Sequence, residues 1–256
     1  MVAVAERAIE GQGTPEIDWL PWLAQQAMVE VDAERLVPPG HRAVVVAPHP
    51  DDEVLAVGGL LAQLGALQRP MLIVAATDGT ASHPASILWP PHRLATERPL
   101  ESRRAWQTLG LDIDRSTEVR RLGFDDGGLM RQRGPLARQV AALLRPRDVL
   151  FTTWRHDGHP DHEATGQACA AAAACTGARL IEVPVWAWHW AVPGDTRLPW
   201  GRALRLGLDA EAARAKREAV NAFTSQLESD PSTGAGPILR GTTVQRAQRP
   251  FEVFFP

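Results

Sequence analysis

Tyrosine is absent from the 256 residues, although nine tryptophans are present. That absence removes the phenol as a catalytic acid or nucleophile. Only two cysteines occur, Cys169 and Cys175, six residues apart in an alanine-rich stretch that reads as helix. On a helix they point in different directions. They read as unpaired small hydrophobes in a reducing cytoplasm. No Cys-x-x-Cys pattern is present, which argues against a cysteine zinc cluster. A basic excess is also missing: 27 Lys and Arg stand against 30 Asp and Glu, for a formal charge of -3. Nucleic-acid partners leave a basic footprint, so none is expected. No run of about 18 apolar residues occurs, so no membrane span is expected. The opening MVAVAERAIE lacks a basic stretch followed by an apolar run, and does not read as a secretory signal.

What is present is a chain long and apolar enough, at 45% hydrophobic, for one large core. Residues 1–40 read as an irregular or short-helical lead-in, rich in proline, ahead of a single domain over 41–256. Short apolar strands are expected at 43–47, 71–76, 118–122, 148–153, 179–185 and 251–255. Helical spacing is expected at 52–68, 96–109, 136–144, 161–175 and 209–223. Residues 79–95 and 123–131 read as loops. Strands alternating with helices predict an α/β fold with a mostly parallel sheet and helices on both faces.

Two clusters stand out against this pattern. His49-Pro50-Asp51-Asp52-Glu53 follows the first strand of the domain, and His159-Pro160-Asp161-His162 follows the strand 148–153. Ligands of open parallel sheets bind at the carboxyl ends of strands, so both clusters belong on one rim. His49 and Asp52 are three apart, as are His159 and His162, a step at which two side chains converge. Two imidazoles and a carboxylate suit Zn²⁺ with one position open for water. They also suit Fe²⁺ or another divalent metal. Such a metal brings a water pKa down to about 7. His156 is an alternative to either histidine of the second cluster. Taken singly, Asp51, Asp52 and Asp161 could be helix caps. Two clusters, each after a buried strand, are not explained by capping.

These clusters resemble the PIG-L/LmbE-like N-deacetylase family, which carries an Ala-His-Pro-Asp-Asp-Glu motif and a His-Pro-Asp-His motif. Here Pro48 stands in place of the alanine, and the second motif is unchanged. The similarity extends through Glu101-Ser102-Arg103-Arg104, Phe124-Asp125-Asp126-Gly127, Lys216-Arg217-Glu218-Ala219 and Ser225-Gln226. The resemblance implies a Rossmann-like single domain. It implies a zinc-type metalloenzyme removing an N-acetyl or related N-acyl group from a small amino-sugar substrate through a metal-activated water. Carried over by motif, His49, Asp52 and His162 would bind the metal, and Asp51 would be the general base. His159 would be the general acid, and Asp161 would orient His159 and raise its pKa. Arg98 and Asp126 would contact substrate. Thr77-Asp78-Gly79 stands where relatives often have Gly-Glu, and Asp78 is a further candidate substrate contact. A hydratase or lyase on the same scaffold, another amide hydrolase, or a non-catalytic metal- or sugar-binding protein are the competing readings.

Trp186, Trp188 and Trp190 alternate, which fits a half-buried strand. With Trp200 they could instead form a wall on which a sugar ring stacks. The arginines at 202, 205, 214 and 217 read as a solvated face. His83, His92 and His189 read as loop residues, on the substrate side or at the surface.

Overall fold

In the computed structural model, which describes residue 7 and residues 9–256, the elements run α1 (Glu16–Gln25), β1 (Val29–Val31), α2 (Ala33–Leu36), β2 (Arg42–Ala47), α3 (Asp52–Ala66), β3 (Met71–Thr77), α4 (Pro91–Thr108), β4 (Thr117–Phe124) and α5 (Leu129–Leu143). They continue β5 (Asp148–Thr153), α6 (Pro160–Thr176), β6 (Arg179–Val183), α7 (Ala187–Trp190), β7 (Leu204–Gly207), α8 (Ala210–Val220), α9 (Thr224–Leu227), α10 (Gly241–Ala247) and β8 (Phe251–Phe254). The first residues of the expected lead-in, 1–6 and 8, lie outside the described residues. Among the described residues, no helix is long and apolar enough to cross a membrane.

The main sheet has the order β4-β3-β2-β5-β6, and every pairing in it is parallel. Its central strands β2, β3 and β5 are apolar on both faces. Val45, Ile73 and Phe151 pack on one side with α3, α4 and α8, while Val44, Val46, Leu72 and Leu150 pack on the other with α5 and α6. That two-sided burial is why these strands read as continuous apolar runs rather than as alternation. From β2 the chain winds outward to β3 and β4, then returns to the opposite side of β2 as β5. The turns after β2 and β5 therefore diverge to opposite faces and leave a crevice between them. A second sheet, β1-β7-β8, pairs β1 parallel to β7 and β7 antiparallel to β8. It joins the first through the Glu182–Phe255 bridge.

Two helices begin earlier than the spacing predicts. α4 starts at Pro91 and holds Pro99 inside it, and α5 starts at Leu129 and holds Pro135. Proline at a first helical position is well tolerated, and at Pro91 it marks a helix start. The predicted strand through 185 ends at Val183. The tryptophan alternation that fitted a strand instead spans a helical turn, Ala187–Trp190.

One helix depends on a distant ion pair. α3 is broken at Val57, whose φ of -134° is not helical. In an unbroken helix the Gly59 N–H would bond to the Leu55 carbonyl. Here the Gly59 and Leu60 N–H groups donate to the Glu252 carboxylate at 2.7 and 3.0 Å. Lys216 Nζ donates to the Leu55 carbonyl at 3.0 Å and to Glu252 at 2.7 Å. The pair thus supplies the acceptor and the donor that the break removes, and both side chains are buried. Glu252→Gln leaves the Lys216 charge buried and uncompensated, a loss of about 3–5 kcal/mol. The expected result in a thermal unfolding scan is a Tm lower by about 6–20 °C. A shift under about 2 °C would mean that the break is satisfied elsewhere.

Candidate active site

The β2 and β5 strands are hydrogen-bonded neighbours, with Val46 opposite Thr152. Their following turns therefore meet, and two motifs about a hundred residues apart become one site. The first turn is forced. Asp51 sits at φ 109°, a region non-glycine residues rarely occupy, at a cost of about 1–3 kcal/mol. Neighbours hold it there. The Pro50 carbonyl accepts from Arg98 Nη2 at 3.3 Å and Gln226 Nε2 at 2.8 Å. The Asp51 N–H donates to Glu53 at 3.3 Å. Arg98 also donates to the Gly79 carbonyl at 2.6 Å, and a Cβ on Gly79 would fall 1.8 Å from its guanidinium. The second turn leads into α6. There Gly166 lets the helix lie against the end of β5, since a Cβ would sit 2.6 Å from the Thr153 carbonyl.

Asp52 is the hub of the two turns. Its Oδ2 lies 3.1 Å from His49 Nδ1 and 3.2 Å from His162 Nε2. His162 is fully buried, and its Nε2 has no hydrogen-bond partner among the described residues. Its other nitrogen, Nδ1, is held by Asp157 at 2.8 Å. His49 Nε2 faces Asp126 at 3.3 Å and Asp161 at 3.4 Å. One nitrogen each from His49, His159 and His162 lie within 4.8 Å of one another.

The charge pattern follows from these contacts. Burial alone would push Asp52 up, but His162 and then His49 outweigh it and hold its carboxyl well below the usual range. Burial would lower both imidazoles. For His162 the carboxylates of Asp52 and Asp157 reverse this and raise it to about 9. For His49 the bonds to Asp126, Asp161 and Asp52 do the same. Asp51 goes the other way: burial, then the neighbouring Asp52 charge, raise it well above the usual carboxylate value, against the pull of Arg98. His159 is pushed down to about 3 by burial and by the two other imidazoles. A field that raises the proton affinity of two buried imidazoles is one that favours a cation. The orphaned His162 nitrogen beside Asp52 Oδ2 and His49 Nδ1 gives it nitrogen and oxygen donors of the kind divalent zinc or iron takes. The residues present therefore fit a divalent metal.

A cavity of about 280 Å³ opens over this cluster, lined among others by Asp51, Arg98, Asp126, His159 and Trp186. Trp186 stacks on His159 at 6.5 Å with rings 20° apart. The other tryptophans serve elsewhere: Trp188 and Trp200 pack with Trp19, and Trp190 donates to the Asp157 carbonyl at 2.6 Å.

Two expectations change, and one alternative falls away. Asp161 does not orient His159 through its carboxylate. That group accepts from the Gly127 and Leu129 N–H groups at 2.7 and 3.1 Å and faces His49. Only the Asp161 backbone N–H reaches His159, donating to Nδ1 at 3.2 Å, and the His159 pKa is lowered rather than raised. Asp78 turns from the cavity to the sheet edge, where Arg121 holds it at 2.9 and 2.6 Å. His156 is exposed and packs edge-on against Trp154, outside the cavity. Of the remaining histidines, His83 and His189 are buried, the latter bonded to the Glu10 carbonyl at 2.8 Å.

Sequence reasoning passed over Asp157. It is fully buried, and besides His162 it accepts from the N–H groups of Val185, Trp186 and Ala187 at 2.8–2.9 Å. One carboxylate thus fixes the His162 tautomer and the segment carrying Trp186. Glu101 was legible only as part of a motif. It accepts from Ser225 N–H and Oγ, both at 2.7 Å, and so anchors the segment that presents Gln226. Glu53, pushed up to about 7 by burial, accepts from Trp106 Nε1 at 2.8 Å. Asp157→Ala is expected to weaken metal affinity about 10–100-fold, since a partner that aims a ligating histidine typically matters by that much. Competition against a chromogenic chelator measures it. Unchanged affinity would show that the aim of His162 does not depend on Asp157.

Comparison with known proteins agrees with the geometry. A stretch of 139 residues is 31% identical to the probable N-acetyl-alpha-D-glucosaminyl L-malate deacetylase 2 of Bacillus anthracis, covering 51% of this chain and 58% of that protein. Another 139-residue match is 30% identical to the 2'-N-acetylparomamine deacetylase of Streptomyces fradiae, covering 47% and 48%. The chain thus spans about half the length of the curated relatives it matches. The crystal structure of the conserved protein TT1542 from Thermus thermophilus superposes with a TM-score of 0.59 at 28% identity, over 84% of this chain and 93% of that one. Residues 44–173, about half the chain, match the family model described as PIG-L: GlcNAc-PI de-N-acetylase. The chain belongs to the PIG-L (GlcNAc-PI de-N-acetylase) family.

Proposed function

We propose that the chain is a zinc-dependent hydrolase that removes an N-acetyl group from a small amino-sugar substrate, yielding acetate and a free amine. The observation that carries this is the meeting of His49, Asp52 and His162 with Asp51 and His159 around one cavity. Both curated relatives are named as deacetylases of N-acetylated compounds. The cavity, about 280 Å³, is near the lower end for small-molecule pockets, roughly 300 Å³. That suits one sugar unit and a small conjugate.

His49, Asp52 and His162 would hold the metal. When bound, it polarises an amide carbonyl and lowers the pKa of water to about 7. Asp51 then takes the proton from the water that attacks the carbonyl carbon. Its raised pKa brings it closer to neutrality, where a general base works best. His159 accepts at Nδ1 from the Asp161 N–H, so its neutral form carries the proton on Nε2. That N–H stabilises the oxyanion, and the proton that Asp51 takes from the water passes on to the nitrogen as the C–N bond breaks, which returns Asp51 to its carboxylate. Asp161 and Asp126 keep His49 in place. Arg98 has a buried Nε without a partner among the described residues and lines the cavity, so we assign it a substrate contact. Asp126 is assigned a substrate hydroxyl. The free cysteines, Cys169 buried and Cys175 exposed, support a reducing, cytoplasmic location.

The test is release of equimolar acetate and free amine from a panel of N-acetylated amino sugars. Asp51→Asn and His159→Ala are each expected to lower kcat by about 10²–10⁴. A chelator should abolish turnover, and zinc should restore it. Turnover unchanged in both variants, or retained in chelator, would contradict the assignment.

A further inference from the structure

Beside the active-site cavity, and sharing Leu55, Val185 and Thr243 with it, lies a second, smaller cavity of about 40 Å³. Its wall includes Lys216, Arg246, Arg249, Glu252 and Thr243. Each of these side chains is more than nine-tenths buried. The carboxylates are already engaged. Glu252 is taken by Lys216 and by the broken turn of α3. Glu16, also buried, binds Arg249 through both oxygens at 2.7 Å. Arg249 further lies over the Trp188 ring at 4.2 Å.

Arg246 is left over. Its Nη2 donates to the Thr14 carbonyl at 2.9 Å. Its Nε is 3.7 Å from Glu16, too far for a hydrogen bond, and neither Nε nor Nη1 has a partner among the described residues. Thr243 Oγ1 is likewise buried without a partner. Among the described residues, three cations, Lys216, Arg246 and Arg249, thus share two carboxylates, Glu252 and Glu16, an excess of one positive charge. A buried excess of positive charge is unfavourable, and Glu16, already bound by Arg249, offsets it only in part. Burial, with Arg249 close by, brings the Arg246 pKa down to about 10, so it stays cationic at neutral pH.

We infer that this cavity binds one small monovalent anion, a halide or a short carboxylate, held by Arg246 and Thr243. The size agrees, since one water needs about 10–15 Å³ of such space, and the cavity has room for one chloride or one acetate. Divalent anions exceed the single spare charge.

Crystals of the full chain soaked separately in bromide and in acetate test the site directly. The expected result is a bromide anomalous peak, or acetate density, within hydrogen-bond reach of Arg246 and Thr243. Which of the two appears identifies the class of anion. In solution, the same anion should raise Tm saturably at constant ionic strength, by about 3–6 °C at ten times its Kd. The shift should be lost in Arg246→Met. If that variant does not fold, the wild-type soaks and titration decide. Density that water alone explains in both soaks overturns the inference. So does a shift that never saturates, which would mean binding at crystal concentration only.

Discussion

Everything at the site depends on the pairing of β2 with β5. These strands lie side by side, in register and parallel, at the point where the chain changes direction across the sheet. Each then turns away to a different face, into α3 and α6. A crevice is therefore built into the topology, and whatever residues occupy the two turns line it. Here those residues are the two His/Asp motifs. The turn after β2 is held by Arg98 and Gln226 on the Pro50 carbonyl. The turn after β5 is held by Asp157, which also ties down the segment beyond β6. The backbone of the site is clamped from three other parts of the chain.

Within the crevice, adjacent carboxylates are driven apart in character. Asp51 and Asp52 are both buried, but Asp52 touches two imidazoles and Asp51 touches none as closely. The Asp51 carboxyl is pushed up and the Asp52 carboxyl is held down. Two neighbouring groups with opposed proton affinities are what an acid–base step beside a metal needs. The strained φ of Asp51 is consistent with this, because it turns the two side chains to different partners.

Much of this was legible in the sequence, for identifiable reasons. The strand-then-motif order placed His49 and His162 on one rim, since strand ends are fixed by short apolar runs. The i, i+3 spacing paired His49 with Asp52. Asp157 was not legible, because its partners, at 185–187, follow a different strand. The partners of Asp161 and Asp78 are not legible for a related reason. Which atom a carboxylate faces is decided by long-range neighbours, the Gly127 and Leu129 N–H groups in one case and Arg121 in the other. The tryptophan triplet looked like a strand because a one-turn helix is too short to show its period. The apolar spacing shows α5 only after Pro135, although that proline lies inside the helix.

The claim that the two motifs form a single metal centre is tested most directly by metal content. Purified protein loaded with zinc and freed of excess should carry one ion per chain by plasma mass spectrometry. Asp52→Ala and His162→Ala, each from a different motif, should each reduce this to a small fraction. If either variant kept a full equivalent of metal, His49, Asp52 and His162 would not be the centre.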